Sequence, residues 1–402
     1  MTSSPAIVWK TAEEAVVAAD LATLDALLRD YGDIIRTEPP QSWWNNTLTP
    51  DYAAGDARGI IASTHHFDTW DALVAHLATI RDEASPAARF EAAVDAIVGG
   101  DIAALTRLLR NDPQLVRARS PRRHHSTLLH YVGANGVEAF RQHTPANAVA
   151  IAEVLLDAGA EVDAIADMYR GSTTLGLVAT SLHPKVAGVQ PALIQLLLDR
   201  GAALDHPAAA GGRSLVHSCL ANGRPEAAEY LASRGAPLDL ESAAGVGRLD
   251  VVRSFLDGDG RAKPPVTTKQ LESALLSAAS YGRTAVVEHL LDRGVDVDAE
   301  ADGFTGVNAA ATAGHLETIR LLLGRGASIE RRNRYGGTAL GAALWGAANR
   351  PHEADYVPIV EALLAAGAQV DPVVVQWWSR QQAASPDAHA RILESLRIHA
   401  DR

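Results

Sequence analysis

Residues 302–330 read DGFTGVNAAATAGHLETIRLLLGRGASIE, and this stretch decides the fold. Thr305 stands before a run of small apolar residues that stops at Gly314, and a leucine-rich run follows that stops before Gly326. A hydroxyl side chain suits a helix start, where unpaired backbone N–H groups need an acceptor. Glycine suits a helix end, where the chain turns left-handed at little steric cost. The spacing predicts two short helices joined by a tight turn and followed by a loop.

The same punctuation recurs along the chain. Leucine-rich turns such as EVLLDAGAEVD and EHLLDRGVDVD place closing glycines at Gly159, Gly201, Gly235, Gly294, Gly326 and Gly367. A second glycine precedes three of these by 12 residues, at Gly223, Gly282 and Gly314, and bounds one second helix in each unit. Nine residues before Gly136, Gly223 and Gly314 stand Thr127, Ser214 and Thr305, the predicted helix starts, with Thr174 and Thr338 opening two further units. Relative to this frame, extra residues sit between the two helices of the units opening at Thr127, Thr174 and Thr338. Because equivalent turns of a stacked array line one edge, the insertions GVEAFRQHTPAN and LHPKVAGVQ of adjacent units are expected to meet.

The segment TLLHYVGANG (127–136), the ALDH and ASIE tails, and above all residues 302–330 resemble the ankyrin repeat, whose unit of about 33 residues opens with T-P-L-H. The resemblance implies an all-α helical-repeat solenoid, and within it His130 takes the place of the motif histidine that bonds neighbouring backbone. The match is divergent: Thr174-Leu-Gly and Val307-Asn308 replace the motif, and LESAAGVGRLDVVRSFL (240–256) has no loop before its first helix. Upstream, residues 15–35 resemble residues 96–116, both as helix pairs, and GDARGIIASTHHFDTWDALVAHLATI (55–80) resembles a helical segment that precedes ankyrin repeats in many bacterial proteins. The expected organisation is a helical cap over 1–88, the repeat array over 89–371 and a C-terminal helical cap over 372–402.

Composition agrees with closely packed helices. Apolar residues make up 47% and charged residues 21%, enough for a buried core, while aromatics are only 5%, so alanine, leucine and valine must fill it. A net charge of −12 opposes general attraction to nucleic acid or anionic lipid. The lone Cys219 excludes a disulfide framework, and its place in LVHSCLANG predicts an inert core thiol. With neither a signal-peptide pattern nor a long apolar run, the chain is expected in the cytoplasm.

No nucleophile elbow, phosphate loop, dinucleotide fingerprint or zinc-protease motif occurs, so no catalytic residue is assigned and no cofactor is expected. His65-His66 and His124-His125 lack the helical spacing that joins two metal ligands on one side, so no metal is expected either. The run RARSPRRHH (117–125) gathers four arginines beside two histidines and could receive phosphate or an acidic partner, but reads first as a solvated loop. The resemblance implies a protein-interaction module, with a protein partner. The insertions suggest a rival: a small-molecule binder, or an enzyme needing no metal or cofactor, with a pocket beneath them. Candidate contacts are Asp167, Tyr169 and Arg170 in the loop ADMYRGST, His183 and Gln190 in one insertion, and Arg141 and His143 in the other. Either the insertions fold inward over the first helices, or these side chains pair with neighbouring loops and cap helix ends. Trp43-Trp44, in a proline-flanked stretch, either offer a further candidate surface over a groove or for a partner, or plug an end of the solenoid. Trp377-Trp378 are expected to plug the array's end.

Overall fold

In this computed structural model the described residues are 4–38, 56–206, 213–257, 262–350, 352, 354–381 and 385–400; Trp43 and Trp44 lie outside them. The chain forms two compact units, Met1–Ala236 and Pro237–Arg402, each a stack of helix pairs.

The first unit runs α1 (Pro5–Val17), α2 (Leu21–Thr37), α3 (Ala57–Thr64), α4 (Trp70–Ile80), α5 (Pro86–Gly99), α6 (Ile102–Asn111), α7 (Ala148–Asp157), α8 (Thr174–Thr180), α9 (Leu182–Val186), α10 (Gln190–Asp199), α11 (Leu215–Ala221) and α12 (Pro225–Ser233). Between α6 and α7 the expected first helix of the unit is a tighter 3₁₀ turn, Leu128–Gly133. It packs between α5 and α8, so the inner row continues unbroken. The approach to α8 is close: a Cβ on Gly133 would lie 2.7 Å from Leu177 Cβ and 3.2 Å from Val178 N.

The second unit runs α13 (Leu240–Gly245), α14 (Leu249–Ser254), α15 (Thr268–Ser280), α16 (Thr284–Asp292), α17 (Gly306–Ala313), α18 (Leu316–Gly324), α19 (Ala339–Asn349), α20 (Val357–Ala365), α21 (Pro372–Ser379) and α22 (Pro386–Ala400). Inner helices α13, α15, α17 and α19 pack in sequence, as do outer helices α14, α16, α18 and α20. Alanines at 278, 279, 310, 311, 342 and 343 are buried along the inner row, and their small side chains let the helices stack closely. The loop before α17 carries a two-residue hairpin pairing Glu300 with Thr305 and Ala301 with Phe304. Trp378 is buried and stacks on His389 at 5.0 Å, while Trp377 stays 37% exposed, so one indole of the pair fills the end of the stack.

The predicted starts are capped by their own side chains. Ser214 accepts from His217 N, and Thr305 and Thr338 accept from the amides of Asn308 and Gly341. At Thr127, His130 Nδ1 accepts the Thr127 amide and Nε2 lies 2.9 Å from Ala164 O, the backbone-bonding role expected of it. In the next unit the cap is Thr173 rather than Thr174, whose side chain is buried, because Thr173 Oγ1 accepts from Gly176 N. All six closing glycines have φ between 84° and 95°.

RARSPRRHH is not a solvated loop. Arg122 and His124 are buried, 3% and 0% exposed. Burial is tolerated because Arg122 meets two carboxylates, Glu91 on α5 and Glu138 in the first insertion, the latter at 2.6 Å. Arg141 closes the network on Glu91 and on Asp95 at 2.6 Å, and Tyr131 donates to Glu138 at 3.3 Å. Two guanidiniums and two buried carboxylates balance, as burial of charge requires.

Candidate functional site

The insertion around Arg141 does fold inward, and it clasps the chain's own N-terminal turn. His65, His66 and Phe67, between α3 and α4, are seated against loop 119–126 and residues 137–144. Arg123 N donates to His66 O at 2.8 Å, Arg122 lies over the Phe67 ring, His65 meets Phe140, and His76 of α4 approaches Glu91 at 3.2 Å. Burial, aided by the nearby guanidiniums and imidazoles, pushes His65 and His66 down to about 3, so both are neutral near pH 7. Glu91 and Glu138 are held well below the usual carboxylate range, the Arg122 guanidinium overriding the desolvation that opposes ionisation.

Beyond this clasp the unit opens into a groove of about 610 Å³ over α8 and α11. One wall is loop 166–172, closed by a bridge between Ala166 and Ser172. At its tip Tyr169 and Arg170 have φ of 51° and 67°, a left-handed conformation uncommon for such side chains and costly enough to be worth a functional question. Tyr169 lines the groove, and its hydroxyl donates to Asn135 Oδ1 at 3.0 Å; Asn135 in turn donates to Thr180 Oγ1 at 3.3 Å. This relay links the loop tip to the helix turns across the inner row. Burial raises the Tyr169 phenol above its ordinary range.

The opposite wall comes from the second insertion and the following unit. His183 sits in α9, where burial, then His143 and Arg224, hold its imidazole below its ordinary value. His143 and His183 come one from each insertion, and His143 is among the groups that depress His183. Arg224 Nε donates to Ser181 O at 3.1 Å, fixing the guanidinium at the groove's edge beside Asn222.

The other predicted contacts are placed elsewhere. Arg141 lies in the buried network. Asp167 is exposed, with its carboxylate 2.7 Å from His125 Nδ1 of the neighbouring loop, and Arg170 is exposed next to Tyr169 without lining the groove. Gln190 is buried and donates to the carbonyls of Val178, Ala179 and Ser181, which closes the end of α8. Cys219 is fully buried and its thiol is pushed up to about 12 by burial, the inert state expected. Arg224, Asn135 and Asn222 were not singled out from sequence. The signal was present: Asn135 and Asn222 each precede the glycine that ends an inner turn, Gly136 and Gly223. Among the described residues no cluster of histidine, cysteine, aspartate and glutamate could hold a metal ion.

Comparison with known proteins bears on the second unit. Residues 240–333 and 275–373 match a family model described as ankyrin repeats in three copies. Residues 240–373 carry ankyrin repeats. It is 39% identical over 75 residues to the ankyrin repeat and KH domain-containing protein mask-1 of Caenorhabditis elegans, covering 18% of this chain and 3% of the relative. It is 38% identical over 99 residues to the human ankyrin repeat and KH domain-containing protein 1, covering 23% and 4%. The chain thus spans a few per cent of the length of these relatives. Among solved structures, the human ASB11 ankyrin repeat domain aligns over 69% of this chain and 97% of that one at 24% identity with a TM-score of 0.37. The Bcl-3 ankyrin repeat domain aligns over 63% and 93% at 22% identity with a TM-score of 0.32. No helix among the described residues is long and apolar enough to cross a membrane.

Proposed function

We propose that this protein is an intracellular protein-interaction module whose partner lies in the groove over α8 and α11. The observation that carries this reading is the groove's construction: side chains of successive units, Asn135, Tyr169, Thr180, His183, Asn222 and Arg224, line one continuous open surface. Hydroxyls, amides and guanidiniums arranged along a stack suit the backbone groups and side chains of an extended partner segment. In this reading residues 1–88 close one end of the array, 89–371 carry the repeats and 372–402 close the other. The α3–α4 turn already packs beside α5, with Arg123 N bonded to His66 O and His76 at Glu91, whereas the groove stands open among the described residues.

The test is a photo-crosslinking amino acid placed at His183 and, as a control, at Arg110 on outer helix α6. A discrete protein adduct at position 183 that is absent at 110 and suppressed by Tyr169→Ala supports the reading. Equal adducts at both positions overturn it.

The groove's volume also lies within the range of about 300–1,000 Å³ typical of small-ligand sites. On the rival reading, a metabolite raises the melting temperature of the wild type and not of His183→Ala, and position 183 yields no protein adduct.

A further inference from the structure

Helices α1 to α4 bury a core of their own, whose members run from Val8 to Leu77 with Ile80 packed at its edge. What joins this segment to the repeats is of a different kind. After α4 the chain passes through the exposed residues 81–84 into α5. The α3–α4 turn then docks through polar groups: Arg123 donates from its amide to His66 O at 2.8 Å and from its guanidinium to Ser63 O at 3.1 Å, and it lies 3.6 Å from Asp68. His66 meets His124 edge-on at 5.1 Å and holds φ of 63°, a left-handed conformation that a histidine keeps only while its surroundings fix it.

The docked turn has no place for a proton. His65 and His66 are 5% and 3% exposed, and Nδ1 of each lacks a hydrogen-bond partner among the described residues. Loop 119–126 faces them with Arg122, Arg123 and His124, and the insertion with Glu138 and Arg141. Glu138 attracts both rings, but Arg122 already holds it at 2.6 Å and Tyr131 donates to it; Glu91 of α5 is shared by Arg122, Arg141 and His76. A proton on either ring therefore buries an N–H without an acceptor and adds positive charge beside guanidiniums. We propose that this junction is an acid-operated hinge: as pH falls, α1–α4 swing off the first repeats as a folded body about residues 81–84, uncovering loop 119–126 and residues 137–144. Acidity then sets how much of that surface is accessible. The docked imidazoles titrate near 3 and the released ones near their ordinary 6.5, so docking is at full strength above 6.5 and weakens as pH falls through the interval. Uptake of two protons weakens it about hundredfold per pH unit.

The experiment is amide hydrogen exchange on the full chain between about pH 7 and about pH 4.5, corrected for the intrinsic rate at each pH and resolved to single amides. The reporter is the Arg123 amide, which donates to His66 O across the junction. Its protection is expected to fall about hundredfold per pH unit below about 6.5 until the hinge is open. Amides inside α2 and α7, one on each side of the junction, are expected to stay protected, because opening is local and both bodies remain folded. A reporter that loses protection only in step with α2 and α7 records global unfolding and overturns the hinge, as does a reporter that ignores pH. His66→Gln takes up one proton fewer and is expected to reduce the slope to about tenfold per pH unit; an unchanged slope overturns the part given to that ring. Where His66→Gln is open already at pH 7, the wild-type slope alone decides: about hundredfold per unit at Arg123, with α2 and α7 protected, upholds the hinge, and any shallower or global response ends it.

Discussion

Gly314 shows how a single position holds a repeat together. It ends α17 with φ of 85°, and a Cβ there would collide with Ala354 and approach Tyr356. Gly314→Val therefore meets both backbone strain and a steric clash, and is expected to destabilise the protein by roughly 2 kcal/mol or more. Gly314→Asn, which tolerates the left-handed region, relieves the backbone part only and should fall between. Urea unfolding of the three proteins checks the order, and a valine variant as stable as wild type contradicts it. Cys219 makes a second test. Its thiol, raised to about 12 and buried, should react with a disulfide reagent at pH 8 only after denaturation. Prompt labelling of the native protein would show that the inner row opens.

At the level of the inserted turn, one side chain carries two structural elements. Arg122 joins α5, through Glu91, to the first insertion, through Glu138. Removing it strands two buried carboxylates, so Arg122→Ala is expected to cost about 3–5 kcal/mol. The paired replacement Arg122→Met with Glu138→Leu removes charge from both sides and should cost much less than the sum of its two single changes. A double-mutant cycle by chemical denaturation measures the coupling, and simple additivity would mean that the network is dispensable. The insertion was visible in sequence as extra residues between two helix-ending glycines, but its destination was not. Spacing reports that a turn is longer, whereas the charges that draw it inward lie about 50 residues away on α5.

For the whole first unit, the buried imidazoles set an acid limit. His65 and His66 stay neutral when folded, near 3, against an ordinary value of 6.5, and His130 lies near 4, chiefly through burial. Between those values the unfolded chain binds more protons than the folded one, so stability rises with pH through this window. It is fully present above 6.5 and lost as pH falls, at up to about 1.4 kcal/mol per pH unit for each histidine. Glu91 and Glu138, lowered by their arginines, add a further loss below about pH 4.5. Urea midpoints at pH 7.5 and pH 5 should differ accordingly, and His66→Gln should flatten the difference. An unchanged slope in that variant would place the titrating groups elsewhere.

Local chemistry in the sequence was sufficient for the repeat: hydroxyl caps, glycine stops and alanine-rich inner helices act over a few residues, so Thr305, Gly314 and Gly326 declare themselves wherever they stand. It was sufficient also for His130 and Cys219, whose places in the inner row follow from the repeat pattern, although the carbonyls they meet, Ala164 O and Ala179 O, belong to neighbouring segments. The inner surface required the assembled chain. Arg122 looked solvated until the α3–α4 turn and Glu138 covered it, and Gln190 looked available until its amide reached the end of α8. Tyr169 and His183 do line one groove, yet Arg141, from the same set, lies in the ion network. A side chain's polarity is written in the sequence; whether it meets solvent, a carboxylate or a carbonyl depends on which distant segments fold against it.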